Sequence, residues 1–101
     1  MNKQPMSNNN LESISHDIKI INKLGLHARA AAKFVSTASG FSSHVEVEKN
    51  GQHINGKSIM GVMMLAAGKG SLITLHINGD DAQACADALT KLINNRFDEE
   101  E

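Results

Sequence analysis

The chain has 101 residues, 41 % of them hydrophobic, 3 % aromatic and 21 % charged. That size sets one domain with a modest two-layer core and leaves no room for a large cleft enzyme. A net charge of −1 gives no electrostatic reason to expect nucleic acid or a membrane surface as partner, and no apolar run has the length of a membrane span.

Residues 1–13, beginning MNKQPMSNNN, are polar and are expected to form a disordered leader. From Ile14 the pattern alternates: Ile14, Ile18 and Ile20 share one phase, Ser15, Asp17 and Lys19 the other, as in a half-buried strand. His16 falls on the apolar phase and is expected to be partly buried. Asn22 to Gly25 breaks the pattern. HARAAAKFVSTASG then predicts a helix starting at or just after His27, with Gly40 supplying a left-handed cap.

HVEVEK alternates strictly, Val45 and Val47 against Glu46 and Glu48, and Asn50-Gly51 is a hairpin signal. GQHIN is therefore the return strand, with Ile54 facing in. Ser58 caps a short helix through about Leu65, ended by Gly68 and Gly70. SLITLHIN is the fourth strand, with Ile73, Leu75 and Ile77 inward. Asp80 and Gln83 form a capping box for a last helix running to about Arg96, which buries Cys85, Ala88, Leu89, Leu92 and Ile93. Cys85, the single cysteine, is expected in the core; with no partner for a disulfide and no secretory signal, it fits a cytoplasmic setting. The domain spans 14–97, and 98–101, DEEE, is expected to be a solvated acidic tail.

The order β-α-β-β-α-β-α, with one apolar face per strand, predicts an α+β fold: helices over one face of a mainly antiparallel sheet, water on the other. This bears on GQHINGKS, Gly51 to Ser58, which fits the phosphate-loop pattern G-x-x-x-x-G-K-[ST] letter for letter. A phosphate loop runs from a strand directly into a helix, whereas here the middle of the motif is needed as a strand. The nucleotide-binding reading is the weaker one. It predicts Mg²⁺-dependent nucleotide binding that is lost in Lys57→Ala.

His44 and His76 fall on polar strand phases and His53 lies beside the hairpin. A metal site from His44, His76 and nearby glutamates on the open sheet face has no local spacing to support it, so no metal and no cofactor is expected. His27 differs. It stands in LGLHARAA at a loop-to-helix junction, where the amides of Ala28, Arg29 and Ala30 have no intrahelical partners and the helix dipole favours anions. The positive potential there helps keep an imidazole lone pair free for attack. A phosphoryl group on that nitrogen would meet the helix amides and the Arg29 guanidinium.

GLHARAAAKF, NGKSIMGVMML and AAGKGS together resemble the histidine-containing phosphocarrier (HPr) family of the phosphoenolpyruvate-dependent phosphotransferase system, over nearly all of Ile14 to Phe97. NNRFDEEE is somewhat similar to its nitrogen-related branch. The resemblance implies an open-faced two-layer sandwich, with a four-stranded antiparallel sheet and three helices on one face. It implies a stoichiometric carrier rather than a turnover enzyme. His27 carries phosphate on Nδ1, received from enzyme I and passed to the A component of a sugar or nitrogen-branch permease system, and Arg29 pairs with the phosphate. The family pattern has proline where this chain has Ala30. Ser58 matches a serine that, in many members, HPr kinase/phosphorylase modifies.

The helix after Ser58 is apolar almost all round, so Ile59, Met60, Met63 and Met64, with Leu26, are expected to form a partner-docking patch. Phosphate at Ser58 would place negative charge at its edge. A carrier must leave this face free, which favours a monomer. The alternative is a regulatory module of the same fold that acts mainly by phosphorylation-dependent docking.

Overall fold

The computed structural model describes residues 12–101. The expected leader falls mostly outside the described residues, and the first strand, β1 (Glu12–Lys19), begins two residues before Ile14. The remaining elements are α1 (Ala28–Ser39), β2 (His44–Lys49), β3 (Gln52–Asn55), α2 (Ile59–Met64), β4 (Leu72–Gly79) and α3 (Ala82–Asn94). A single turn, Arg96–Asp98, follows. The strands form one antiparallel sheet in the order β1-β4-β2-β3. β1 and β4 are not consecutive, so their pairing in the sheet requires the chain between them to cross over, and that chain carries α1 and α2.

Alternation decides the layers. Ile18, Val45, Val47, Ile73, Leu75 and Ile77 point to one face and are buried. They meet Ala30, Ala31, Phe34 and Ala38 of α1, Val62 of α2 and Ala82, Cys85, Ala86, Leu89 and Ile93 of α3. At about 25 cal/mol per Å² of apolar surface removed from water, this single layer of contact is the main stabilising term. Burial pushes the Cys85 thiol up, as its place in the core requires.

Asn50 (φ 51°) and Gly51 (φ 84°) form the tight β2–β3 turn, and Gln52–Asn55 pairs with Glu46–Lys49. The phosphate-loop stretch is thus a hairpin and an edge strand. Lys57 Nζ donates to the Phe41 carbonyl at 2.8 Å, so the lysine of the pattern is engaged elsewhere. Gly56 is required because a Cβ there would lie 2.5 Å from Val45 Cγ1.

Several local expectations are corrected. Gly40 is right-handed (φ −75°), and α1 closes with Gly40 N–H donating to the Thr37 carbonyl and Phe41 N–H to the Ala38 carbonyl. α2 ends at Met64, near the expected Leu65, and Ala66 (φ 51°) rather than Gly68 turns left-handed just after it, with Lys49 Nζ donating to the Leu65 and Ala66 carbonyls. The residue before α3 is Asp81, not Asp80, and it makes no capping bond of its own. Its carboxylate accepts instead from the hydroxyls and amides of Ser42 and Ser43, which lowers its pKa to about 2. His16 is exposed because β1 is an edge strand, and α3, whose Gln83 N–H donates to Glu12 Oε1, packs on it without covering His16.

Candidate functional site

The loop before α1 is held against a second loop. Ile20 N–H donates to the Ser71 carbonyl (2.9 Å), Gly70 N–H to the Ile20 carbonyl (2.7 Å) and Leu26 N–H to the Ala67 carbonyl (2.9 Å). Gly25 has φ 68°, and a Cβ on it would lie 2.5 Å from the Ala67 carbonyl oxygen. The two loops touch backbone to backbone there, and only glycine fits. Asn22, fully buried, donates from Nδ2 to the Gly25 carbonyl at 2.9 Å and closes the turn. Its Oδ1 has no partner among the described residues.

This scaffold delivers His27 to the N-cap of α1 in extended backbone (φ −73°, ψ 178°), with no side-chain capping bond. Its carbonyl accepts from Ala31 N–H at 2.8 Å, so the helix starts cleanly. The amides of Ala28, Arg29 and Ala30 are those that a first turn leaves without intrahelical acceptors. Ala30 is buried at the third helical position, and the turn forms with alanine as it would with proline. Arg29 is exposed and forms no ion pair among the described residues.

The other side of the ring is taken by the segment that reads as a solvated tail in the sequence. Here the expectation of a solvated tail over 98–101 fails at Glu99, while Asp98, Glu100 and Glu101 are exposed. Glu99 Oε2 lies 2.5 Å from His27 Nε2, and Glu99 Oε1 accepts from Asn22 Nδ2 at 3.0 Å. The Glu99 side chain is 15 % exposed. Burial pushes its carboxyl up, but the hydrogen bonds from Asn22 and His27 and the charges of His27 and Lys33 outweigh that, and the net shift is downward. Lys23 N–H donates to the Glu101 carbonyl and Lys33 Nζ to the Phe97 carbonyl at 2.7 Å. Arg96, Phe97 and Asp98 are consecutively left-handed, at φ 56°, 54° and 64°. That conformation costs roughly 1–2 kcal/mol per residue, and the fully buried Phe97 ring is what offsets it. The arrangement fixes the imidazole through Nε2 and leaves Nδ1 without a hydrogen bond among the described residues; His27 lines an open depression together with Leu24, Arg29 and Lys33.

Ser58 is the N-cap of α2, and its Oγ accepts from Gly61 N–H at 3.0 Å. Beyond it Ile59, Met60, Met63 and Met64 are exposed, Met60 by 72 %. Leu26 does not belong with them: it is buried, because the loop contact at Ala67 turns it under the helices. Leu24, 64 % exposed, is the apolar residue that lies open beside His27. Glu99 and Leu24 carry no motif; only the register of the folded chain brings them to the site. On the opposite, open face of the sheet, Glu46, His53 and His76 converge.

A family model described as the PTS HPr component phosphorylation site matches residues 14–95. The phosphocarrier protein HPr of Cupriavidus necator is 56 % identical over 88 residues, covering 87 % of this chain and 99 % of that protein. That of Neisseria meningitidis is 57 % identical over the same length and with the same coverage. The crystal structure of HPr-C-His from Thermoanaerobacter tengcongensis matches with a TM-score of 0.84 at 48 % identity, over 87 % of this chain and 99 % of that one.

Proposed function

The chain belongs to the HPr family of the phosphotransferase system, and from that premise we propose that His27 Nδ1 is the phosphoryl acceptor of a stoichiometric carrier. The donor is phosphorylated enzyme I and the acceptor an A component of a sugar or nitrogen-branch permease system, in the cytoplasm. The observation that carries this reading is the division of the His27 ring: Nε2 is held by Glu99 and Nδ1 has no hydrogen bond among the described residues, at the N-cap of α1 in a depression shared with Arg29.

The chemistry follows from that division. The Nδ1 lone pair attacks the phosphorus, a P–N bond forms and the bond to the donor breaks. Positive character develops in the ring, and the Glu99 carboxylate beside Nε2 stabilises it and holds the tautomer with its proton on Nε2. The transferred group carries its negative charge toward the free amides of Ala28, Arg29 and Ala30 and the Arg29 guanidinium. The reverse sequence releases the phosphoryl group to the next acceptor.

Docking uses the exposed apolar side chains Leu24, Ile59, Met60, Met63 and Met64. Ser58 is the point of control. A phosphate added there by HPr kinase/phosphorylase sits at a helix start, which tolerates it, and places charge beside the methionines, which a partner expecting an apolar surface does not.

The test is intact mass after incubation with phosphoenolpyruvate, Mg²⁺ and enzyme I, before and after mild acid. The expected result is one added phosphate, removed by acid and absent in His27→Ala. A folded wild-type chain that gains nothing beside an active enzyme I overturns the carrier reading.

A further inference from the structure

We propose that the open face of the sheet carries a binding site for a divalent d-block cation of the zinc type, built from His53, His76 and the carboxylate of Glu46, with Glu48 beside them. Strand register makes the site. Glu46 is paired with His76 across β2–β4, and Glu48 with His53 across β2–β3, so three adjacent strands present two imidazoles and two carboxylates on one side. No helix among the described residues covers that side.

The donor atoms converge. Ligand atoms of Glu46, His53 and His76 all lie within 4.8 Å of one another. His53 Nδ1 is hydrogen-bonded to Glu46 Oε2, and His76 Nε2 lies 2.8 Å from Glu48 Oε1. The same Glu48 oxygen is 3.8 Å from His53 Nε2, so it stands between the two rings. The rings are stacked, with centroids 5.9 Å apart and planes 21° from parallel. His76 has its outer nitrogen, Nδ1, held by Ser15 Oγ of β1 at 3.0 Å. Metal-ligating histidines usually have such a support on the nitrogen that faces away from the ion.

The donor set selects the ion. Two imidazoles with carboxylate oxygens suit zinc and its neighbours, whereas calcium and magnesium take oxygen alone. Zn–N and Zn–O distances of about 2.0–2.2 Å put tetrahedral donors roughly 3.3–3.6 Å apart. For Glu46, His53 and His76, whose donor atoms lie within 4.8 Å of one another, the spacing needs to close by about 1 Å, within reach of side-chain rotation at a solvent-facing site. A cation there ties β3, a four-residue edge strand paired only with β2, to β4.

The test is a titration of the untagged full chain with Zn²⁺ alone, followed by calorimetry, by thermal melting and by NMR of the histidine rings. The expected result is one saturable site, a melting temperature raised by Zn²⁺, and shifts at His53 and His76 but not at His27. His53→Gln and His76→Gln each weaken binding at least tenfold and remove the thermal shift. These side chains face solvent and leave the core intact, and acceptance of phosphate at His27 reports that each variant is folded. Ser15→Ala, which removes only the outer support, weakens binding about tenfold, the lower end of what such partners contribute. Zn²⁺ binding that survives both histidine substitutions, or that shifts the His27 ring in their place, overturns the proposal. So does the absence of any saturable binding.

Discussion

The first turns of α1 and α2 occupy equivalent positions and end in opposite states. Ser58 turns its hydroxyl back onto Gly61 N–H, so α2 begins with one of its orphan donors satisfied and its hydroxyl oxygen engaged. His27 holds the same N-cap place in α1, yet its side chain makes no bond to its own helix and reaches away to Glu99. A helix start by itself is therefore not a reactive site. On the proposed carrier reading it becomes one when the cap side chain is held off the amides by something outside the helix. In α1 that outside agent is the segment from Arg96 to Glu101, and α2 has no counterpart.

The comparison breaks hardest at Phe97. Its buried ring anchors three consecutive left-handed residues and through them Glu99. Phe97→Ala removes the anchor, and truncations of this kind cost about 3–5 kcal/mol. The expected outcome is a large fall in melting temperature together with loss of the His27–Glu99 contact. The His27 ring resonances move, while those of the Met60 and Met63 methyl groups stay put. Were all of them to move together, the segment would be part of the general core and not a clamp specific to α1.

A narrower change keeps the anchor and removes only the charge. Glu99→Gln leaves a side chain that can still accept from Asn22, but it no longer places a carboxylate beside Nε2. A hydrogen bond to a charged group contributes about 1.5–3 kcal/mol, so phosphoryl acceptance at His27 should slow by roughly 10- to 100-fold. Stopped-flow transfer from enzyme I measures it. The pH response has a definite sign. The folded-state pKa of Glu99 is lowered, so its contribution to stability is present in full above the ordinary carboxylate range and is lost as pH falls through the folded value. Acid unfolding of Glu99→Gln should lack that component.

The layers were legible from alternation, since Val45, Val47, Ile73, Leu75 and Ile77 face in as their phase requires. Asn50-Gly51 announced the hairpin, and His27, Arg29 and Ser58 stood in a recognisable family pattern. What sequence did not carry is contact between distant segments. Glu99 lies 72 positions from His27, with only a run of acids to mark it. Leu26 and Leu24 look alike in LGLHARAA; the loop contact at Ala67 buries one and leaves the other open. The capping box read for Asp80 and Gln83 failed for the same reason: Asp81 precedes α3, and its carboxylate is taken by Ser42 and Ser43. His53 and His76 are adjacent only across strands.

The smallest expected effects lie on the α2 side and separate two roles of one hydroxyl. Ser58→Ala removes the cap, at a cost of about 0.5–2 kcal/mol, and also removes any site for phosphate. Its melting temperature should fall modestly while His27 still accepts phosphate from enzyme I at the wild-type rate, because the α1 turn shares no hydrogen bond with Ser58. Ser58→Asp divides the roles further. Aspartate caps about as well as serine, so stability should stay close to wild type. Its charge, however, stands next to the exposed methionines for good. Weaker binding to enzyme I or to the A component by calorimetry, at unchanged stability, assigns the effect to the docking surface. Equal binding by Ser58→Asp and wild type would reduce Ser58 to a cap, and the two helix starts would then differ only in that one of them reacts.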